Sequence, residues 1–519
     1  MSSSATTLPA DSAPTAAPAH PTLFGHPRPL YTLSTTEMWE RFSYYGMRAL
    51  LFVFMITPVA EGGLGYSTPK AGIVYGTYTM CVYMLGIPGG FLADNFLGAY
   101  RSVLLGGIVI ALGHFSMAAQ SEPMFFLGLF LIIVGTGLLK PNISTMVGTL
   151  YAPGDIRRDA GFSIFYMGIN VGATLAPFVT GYLAQTDGFK DLLRGWGFNP
   201  LHAWHWGFAA AGVGMTLGLA SYVLTGRRLA RIAPPPPAGS RPWKTLGLAL
   251  LAAAILLALV LLSDLVPGFE WLRYGYVVGP LAAIVWFARQ PGVDSRRLAA
   301  VGVFGLASIV FWAIYEQAGS TGALFAEQLT DRTLPGGGVY HFLGFTLNIG
   351  HEFPSAWFQS VQSIGVIVLA PCFAWLWVNW RNRQPSAPAK FTFGLACMAL
   401  SLLLFVPAAQ LTAHGKVSPL WLTAIFLIQV VGELCLSPVG LSTMTKLAPP
   451  RLLGLIMGVW FLSMALGNKL AGVLASDFDA AHPSRLAHSF LLQSLWVGAA
   501  TLALLACVPW VKRLMGGVK

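Results

Sequence analysis

Fourteen runs of about 20 mainly apolar residues divide this chain, each about the length that crosses the hydrocarbon core of a bilayer. They cover 35–57, 70–93, 101–119, 123–148, 160–184, 204–224, 243–264, 272–289, 298–320, 356–380, 390–410, 418–446, 452–474 and 488–511. A segment in hydrocarbon has to satisfy its own backbone hydrogen bonds, and a run this long does so as a helix. The expected class is therefore an all-α membrane protein with fourteen transmembrane helices. Charged residues make up 10% of the chain, well below the roughly 25% of soluble domains. An even number of spans puts both termini on one side.

The formal net charge is +11. In a soluble chain that balance suggests nucleic acid. Here the basic residues are spread over short loops, with twenty Lys/Arg on the side of the termini, seven on the other side and four inside spans. Positive loops stay in the cytoplasm, so both termini are expected there, with no nucleic-acid partner. Residues 1–30 are rich in Ala, Pro, Ser and Thr without a basic or apolar leader segment, which reads as a disordered cytoplasmic tail. Cys81, Cys372, Cys397, Cys435 and Cys507 all lie in apolar stretches at no disulfide or metal spacing and read as buried thiols.

The loop containing Pro234–Pro237 follows the sixth span and is stiffened by its prolines. The two spans after it carry few polar groups. The simplest organisation is an N-terminal six-helix bundle over 31–226, a linker with an inserted helix pair over 227–297, and a C-terminal six-helix bundle over 298–519. The two bundles would be parallel repeats.

Against that apolar background stand Glu37, Glu40, Glu316 and Glu433 on one hand and Arg41, Arg48, Lys140 and Lys469 on the other. A charge at mid-bilayer costs roughly 2.5–3.5 kcal/mol even on insertion scales, so it faces a partner or a wet cavity. At about 100° per residue, Glu37, Glu40, Arg41, Tyr44, Tyr45 and Arg48 fall within an arc of about 140° on the first span. That stripe reads as the wall of a polar cavity, or as neutralised pairs gluing helices together. Lys140 in the fourth span and Glu433 in the twelfth occupy equivalent places in the two halves at similar depth, as do the first and ninth spans with Arg48 and Glu316. Two pairs between halves are expected, either as gates that break and re-form or as static ties. Losing its cation favours protonation of a carboxylate, which suits proton coupling. Asn170 fits a substrate ligand or an interhelical bond equally. Trp312 and Trp460 read first as packing, and Tyr78 and Tyr83 as hydroxyls beside a cavity or at an interface. His114 reads as packed. No His/Asp cluster with a nucleophile is found at membrane depth, which argues against an intramembrane enzyme.

Several segments resemble a known family. Glu37-x-x-Glu40-Arg41-Phe42-x-Tyr44-Tyr45, Phe165–Gly172, Gly432–Ser442, Gly90–Asp94 through Arg101, and Phe311–Gln317 are together similar to bacterial proton-dependent oligopeptide transporters of the major facilitator superfamily. The matches run from about 37 to 470, and the inserted helix pair is also similar to bacterial members. The resemblance implies a major-facilitator fold and proton-driven import of dipeptides and tripeptides by alternating access, with no enzymatic activity. It implies that Arg41, Arg48 and Lys140 surround the peptide carboxylate with Tyr44, Tyr45 and Tyr78 nearby. Glu433 would take the ammonium, Asn170 the peptide backbone, and Trp312 and Trp460 the side chains. Ser437 lies in the matching segment and joins the peptide-binding candidates. Glu37, Glu40 and Arg41 are implicated in proton coupling, and Glu316 with Arg48 in gating. One departure stands out: Gln362-Ser363 replaces the family's frequent Asn-Pro, whose Asn helps hold the peptide amino end. Gln362 remains a candidate, with its amide placed differently. The expected partners are small peptides, protons and lipid, with no cofactor, in a monomer. The rival reading is a transporter of the same fold for an organic anion, nitrate or drug.

Overall fold

A computed structural model describes residues 22–152, 155–226, 229–232, 243–266, 268–272, 294–342, 345–380, 383–448 and 453–516. The helices are α1 Arg28–Ile56, α2 Thr68–Met84, α3 Gly86–Leu92, α4 Ala99–Ala118, α5 Glu122–Thr149, α6 Arg158–Gln185, α7 Asp187–Gly195, α8 Ala203–Thr225, α9 Leu229–Ile232 and α10 Trp243–Leu265. They continue with α11 Ser295–Tyr315, α12 Thr321–Gln328, α13 Gln359–Trp380, α14 Ala387–Leu411, α15 Pro419–Leu447, α16 Leu453–Ala475 and α17 Pro483–Leu514. Thirteen of the fourteen expected spans fall on these helices; the eighth, 272–289, lies almost wholly outside the described residues, as does the Pro234–Pro237 linker. Two short hairpins, β1–β2 (Thr22–Leu23, His26–Pro27) and β3–β4 (Val339–Phe342, Phe345–Asn348), lie outside the helical bundles.

Among the described residues, eleven helical segments are long and apolar enough to cross a membrane. Helix α1 is long enough as well but carries the charged stripe. It starts at Arg28, with Pro at its first turn where no backbone donor is needed. Residues 22–30 are thus a hairpin and a helix start, which corrects the reading of all of 1–30 as disordered. Cys372 is exposed on α13, unlike Cys81, Cys397 and Cys435, which are buried.

Helices α1, α4, α5, α6 and α8 pack together with α2–α3 as one bundle, and α11 and α13–α17 as the other. Where α2 meets α16, the backbones themselves touch: a Cβ on Gly76 would stand 2.9 Å from Lys469 O and 3.2 Å from Gly472 Cα. Only glycine allows this approach, which draws the two bundles together on the side opposite the termini. On the same side, Gly188 of α7 lies directly on the Asn348 carbonyl of β4. Helix α7 was not anticipated. It is short and amphipathic, and Thr186 caps it by accepting from Phe189 N at 3.2 Å.

Candidate functional site

Helix α1 sets the centre of the molecule. Glu37, Glu40, Arg41 and Arg48 are all buried, Tyr44 is buried and Tyr45 half-buried. Arg41 Nε stands 3.0 Å from Glu37 Oε1 and 2.5 Å from Glu40 Oε2. Its guanidinium lies 5.5 Å from the centre of the Tyr44 ring. One cation thus answers two carboxylates on a single helix turn.

Arg48 reaches the other bundle. Its Nη2 pairs with Glu316 Oε2 and its Nε donates to Tyr75 OH at 2.8 Å. Glu316 follows the last residue of α11, where the helix breaks into a single 3₁₀ turn, Glu316–Gly319. A carboxylate at a helix C-terminus is electrostatically unfavourable. Arg48 offsets this, and the same Nη2 also lies 3.4 Å from the Glu316 carbonyl. Nearby, Gln185 of α6 donates to Ser355 Oγ at 2.9 Å and accepts from Ala356 N at 3.1 Å. Trp357 Nε1 donates to Phe178 O at 3.3 Å, and Ser360 Oγ to Thr174 O at 2.8 Å. The side away from the termini is sealed by these bonds.

Lys140 and Glu433 do not meet, contrary to the expectation of a second pair. Lys140 Nζ sits 4.0 Å over the Tyr83 ring, within the field of Arg41, Glu40 and Glu37. Glu433 accepts a hydrogen bond from Tyr315 OH at 2.5 Å. Each charge takes a partner on its own bundle: Tyr83 lies on α2 and Tyr315 on α11. Pro141 removes one rung of the α5 hydrogen-bond ladder beside Lys140, and Asn142 Nδ2 donates to Leu138 O at 2.7 Å in the same turn.

Three further candidates are placed differently from what the resemblance implies. Gln362 donates to Gln429 Oε1 at 3.0 Å, and Gln429 lies 3.4 Å from Ser401 Oγ, so the longer amide reaches into its own bundle and away from the central space. Trp312 and Trp460 are buried in the C-terminal bundle, Trp312 against Gly467 and Trp460 against Gly440 and Phe391. The glycines facing them let neighbouring helix backbones approach closely. Asn170 donates to Tyr166 O at 3.0 Å within its own helix. Tyr78 OH is sealed and has no hydrogen-bond partner among the described residues, and Ser437 is half-buried on α15. His114 is fully buried, and neither of its ring nitrogens finds a hydrogen-bond partner among the described residues.

Lys469 does not belong to the central group. It pairs with Asp264, near the end of α10, and both bond Thr77 Oγ1 of α2, Lys469 at 2.8 Å and Asp264 at 2.5 Å. Only 1% of the Asp264 side chain is exposed. Asp264 went unnoticed in the sequence because it closes an apolar run, where an acid passes for a loop residue; the unmatched Lys469 was the signal. Tyr75, Tyr315 and Tyr166 were also missed as partners, since membrane tyrosines usually mark interfaces.

The POT family model matches residues 100–490. The chain belongs to the POT family. Across POT proteins, it is 36% identical to the peptide transporter YePEPT of Yersinia enterocolitica subsp. palearctica, covering 97% of this chain and 98% of that one. It is 35% identical to a di-/tripeptide transporter of Lactococcus lactis subsp. cremoris, covering 96% and 98%. A crystal structure of a peptide transporter POT in complex with sulfate superposes with a TM-score of 0.81 at 39% identity, over 97% of this chain and 98% of that chain. The fold is that of the major facilitators, two six-helix bundles, with α10 inserted between them.

Proposed function

We propose that this POT protein is a proton-coupled symporter that imports dipeptides and tripeptides by alternating access. The observation that carries this reading is the pair Lys140 and Glu433: opposite charges on opposite bundles, each resting against a tyrosine of its own bundle and forming no ion pair with the other. A zwitterion between them would pair its carboxylate with Lys140 and its ammonium with Glu433. In a site of low dielectric both pairs are far stronger than in water. Arg41 and Arg48 add positive potential on the carboxylate side, with Tyr44, Tyr45 and Tyr78 beside them. Asn170 and Ser437 stand near enough in sequence to Tyr166 and Glu433 to meet the peptide backbone.

The central group holds Glu37, Glu40, Glu316 and Glu433 against Arg41, Arg48 and Lys140. With all seven ionised, four carboxylates outweigh three cations. One proton balances the set, and a peptide zwitterion leaves that balance unchanged. This excess supports coupling, with Glu37, Glu40 and Glu316 as the carboxylates placed to exchange the proton against Arg41 and Arg48. The proton is the coupling ion and no other cofactor enters the cycle.

The conformation is inward-open in this reading. The Lys/Arg bias puts the termini in the cytoplasm of a bacterium and the sealed side outside the inner membrane. Breaking Arg48–Glu316 opens the outer seam, and drawing Lys140 toward Glu433 through a bound peptide closes the inner mouth. A single chain contains both walls of the site, so a monomer suffices.

Proteoliposome uptake of dialanine tests the reading. Uptake should rise when the outside is made acid relative to the lumen. Uptake indifferent to that gradient would remove symport, and failure of dialanine to compete at all would remove peptide as substrate.

A further inference from the structure

On the termini side of the C-terminal bundle, a cavity of about 880 Å³ opens between α13, the start of α14, α15 and the end of α17. Lys390, Lys446 and Lys512 stand in its walls, and among the described lining residues there is no carboxylate. The N-terminus of α14 borders it as well. Ser386 occupies the position just before that helix, and its Oγ is sealed from solvent with no hydrogen-bond partner among the described residues. A long helix presents unpaired N–H groups and positive potential there, an arrangement suited to phosphate. Lys390 Nζ is held 4.1 Å over the Trp377 ring and 3.2 Å from Gln384 Oε1, so one cation of the set is already in place.

The upper wall is apolar, formed by Ala370, Phe373 and Leu434 toward bilayer depth. On the outer face of α13, Trp375 and Val378 are exposed, as expected of lipid-facing residues. A free phosphate would use the polar floor and leave this roof unfilled. Tyr166 also borders the cavity, which brings it close to the peptide route. A peptide is a poor occupant all the same, because its ammonium would meet three lysines and no acid. Zwitterionic lipid fails for the same reason. We propose that the cavity is a binding site for an anionic phospholipid of the leaflet on the termini side. Its phosphate would lie between Lys390, Lys446, Lys512 and the Ser386 end of α14, with its glycerol and upper acyl carbons against Phe373 and Leu434. Basic pockets between helices at this level suit such headgroups.

The test uses the purified full-length chain in detergent, followed by thermal unfolding and by native mass spectrometry. Phosphatidylglycerol, phosphatidylcholine, inorganic phosphate and dialanine are compared on the parent and on the K390Q/K446Q/K512Q variant. Phosphatidylglycerol should stabilise the parent more than phosphatidylcholine does and remain bound in the spectrometer, and the triple variant should lose that preference. Ser442→Trp fills the cavity without touching its charge and should abolish retention too, which keeps the proposal testable if the triple variant folds poorly. Equal retention by parent and both variants would overturn it. So would full stabilisation by inorganic phosphate, which would point to a soluble anion. Loss of dialanine protection in the triple variant with lipid retention intact would also overturn it and make the lysines a peptide exit subsite.

Discussion

On the side away from the termini, the two bundles share an ion pair, several hydrogen bonds and direct contact between glycine backbones. On the termini side, the equivalent helices α5 and α15 keep their charges apart, Lys140 over Tyr83 and Glu433 under Tyr315. The same kind of residue is therefore used twice in opposite conditions. Arg48 and Glu316 satisfy each other across the seam, whereas Lys140 and Glu433 are left to partners that a ligand can displace. A tyrosine is a weak substitute for a full counter-charge. The difference suggests how one end is held shut while the other is poised to bind.

Glu433→Gln should break the open end most completely. It removes the anionic pole for the peptide ammonium, and losing one member of a buried charge pair costs about 2–5 kcal/mol, or roughly thirtyfold or more in affinity. Calorimetric titration with dialanine checks this; near-parent affinity would detach Glu433 from the site. Arg48→Ala strikes the sealed end. It should unlock the outer seam and weaken peptide binding by about tenfold, ~1.4 kcal/mol. Labelling of a cysteine placed at Ser355 should speed up in this variant, and unchanged labelling would mean that the pair is not what keeps the seam closed.

Asp264→Asn addresses the inserted helix. Leaving Lys469 buried without its carboxylate should cost about 3–5 kcal/mol of stability, and a second change, Lys469→Met, should restore much of it. Thermal unfolding of the single and double variants reads this; an additive loss would argue against a tie between α10 and the seam. Glu40→Gln should preserve exchange of peptide for peptide and lose gradient-driven uptake, a difference visible by running both assays on one preparation. Gln362→Ala should change least, less than about threefold in affinity, ~0.7 kcal/mol. A larger loss in the dialanine titration would mean that the Gln362–Gln429 bond opens when peptide binds.

Much of the molecule was legible from the chain alone. The thirteen described spans follow from hydrophobic length, because hydrocarbon leaves the backbone no alternative to a helix. The Glu37–Arg41 contact follows from helical spacing, since residues four apart lie one above the other. Arg48–Glu316 was reachable from the equivalence of the two halves. Helix α7 was not, because a nine-residue amphipathic turn has no membrane-length signal, and its capping Thr186 sits at the very end of a span.

The sequence by itself determined the class of protein, the order of its helices and the set of charges that hydrocarbon forces to find partners. It could not determine which partners they found. Gln362 bonded Gln429 of its own bundle, Lys469 found an acid on the inserted helix, and Lys140 and Glu433 each settled against a tyrosine of its own bundle. Periodicity fixes the face of a helix on which a charge stands. The distance between two faces depends on how whole bundles lean together, and only the packed structure decides that.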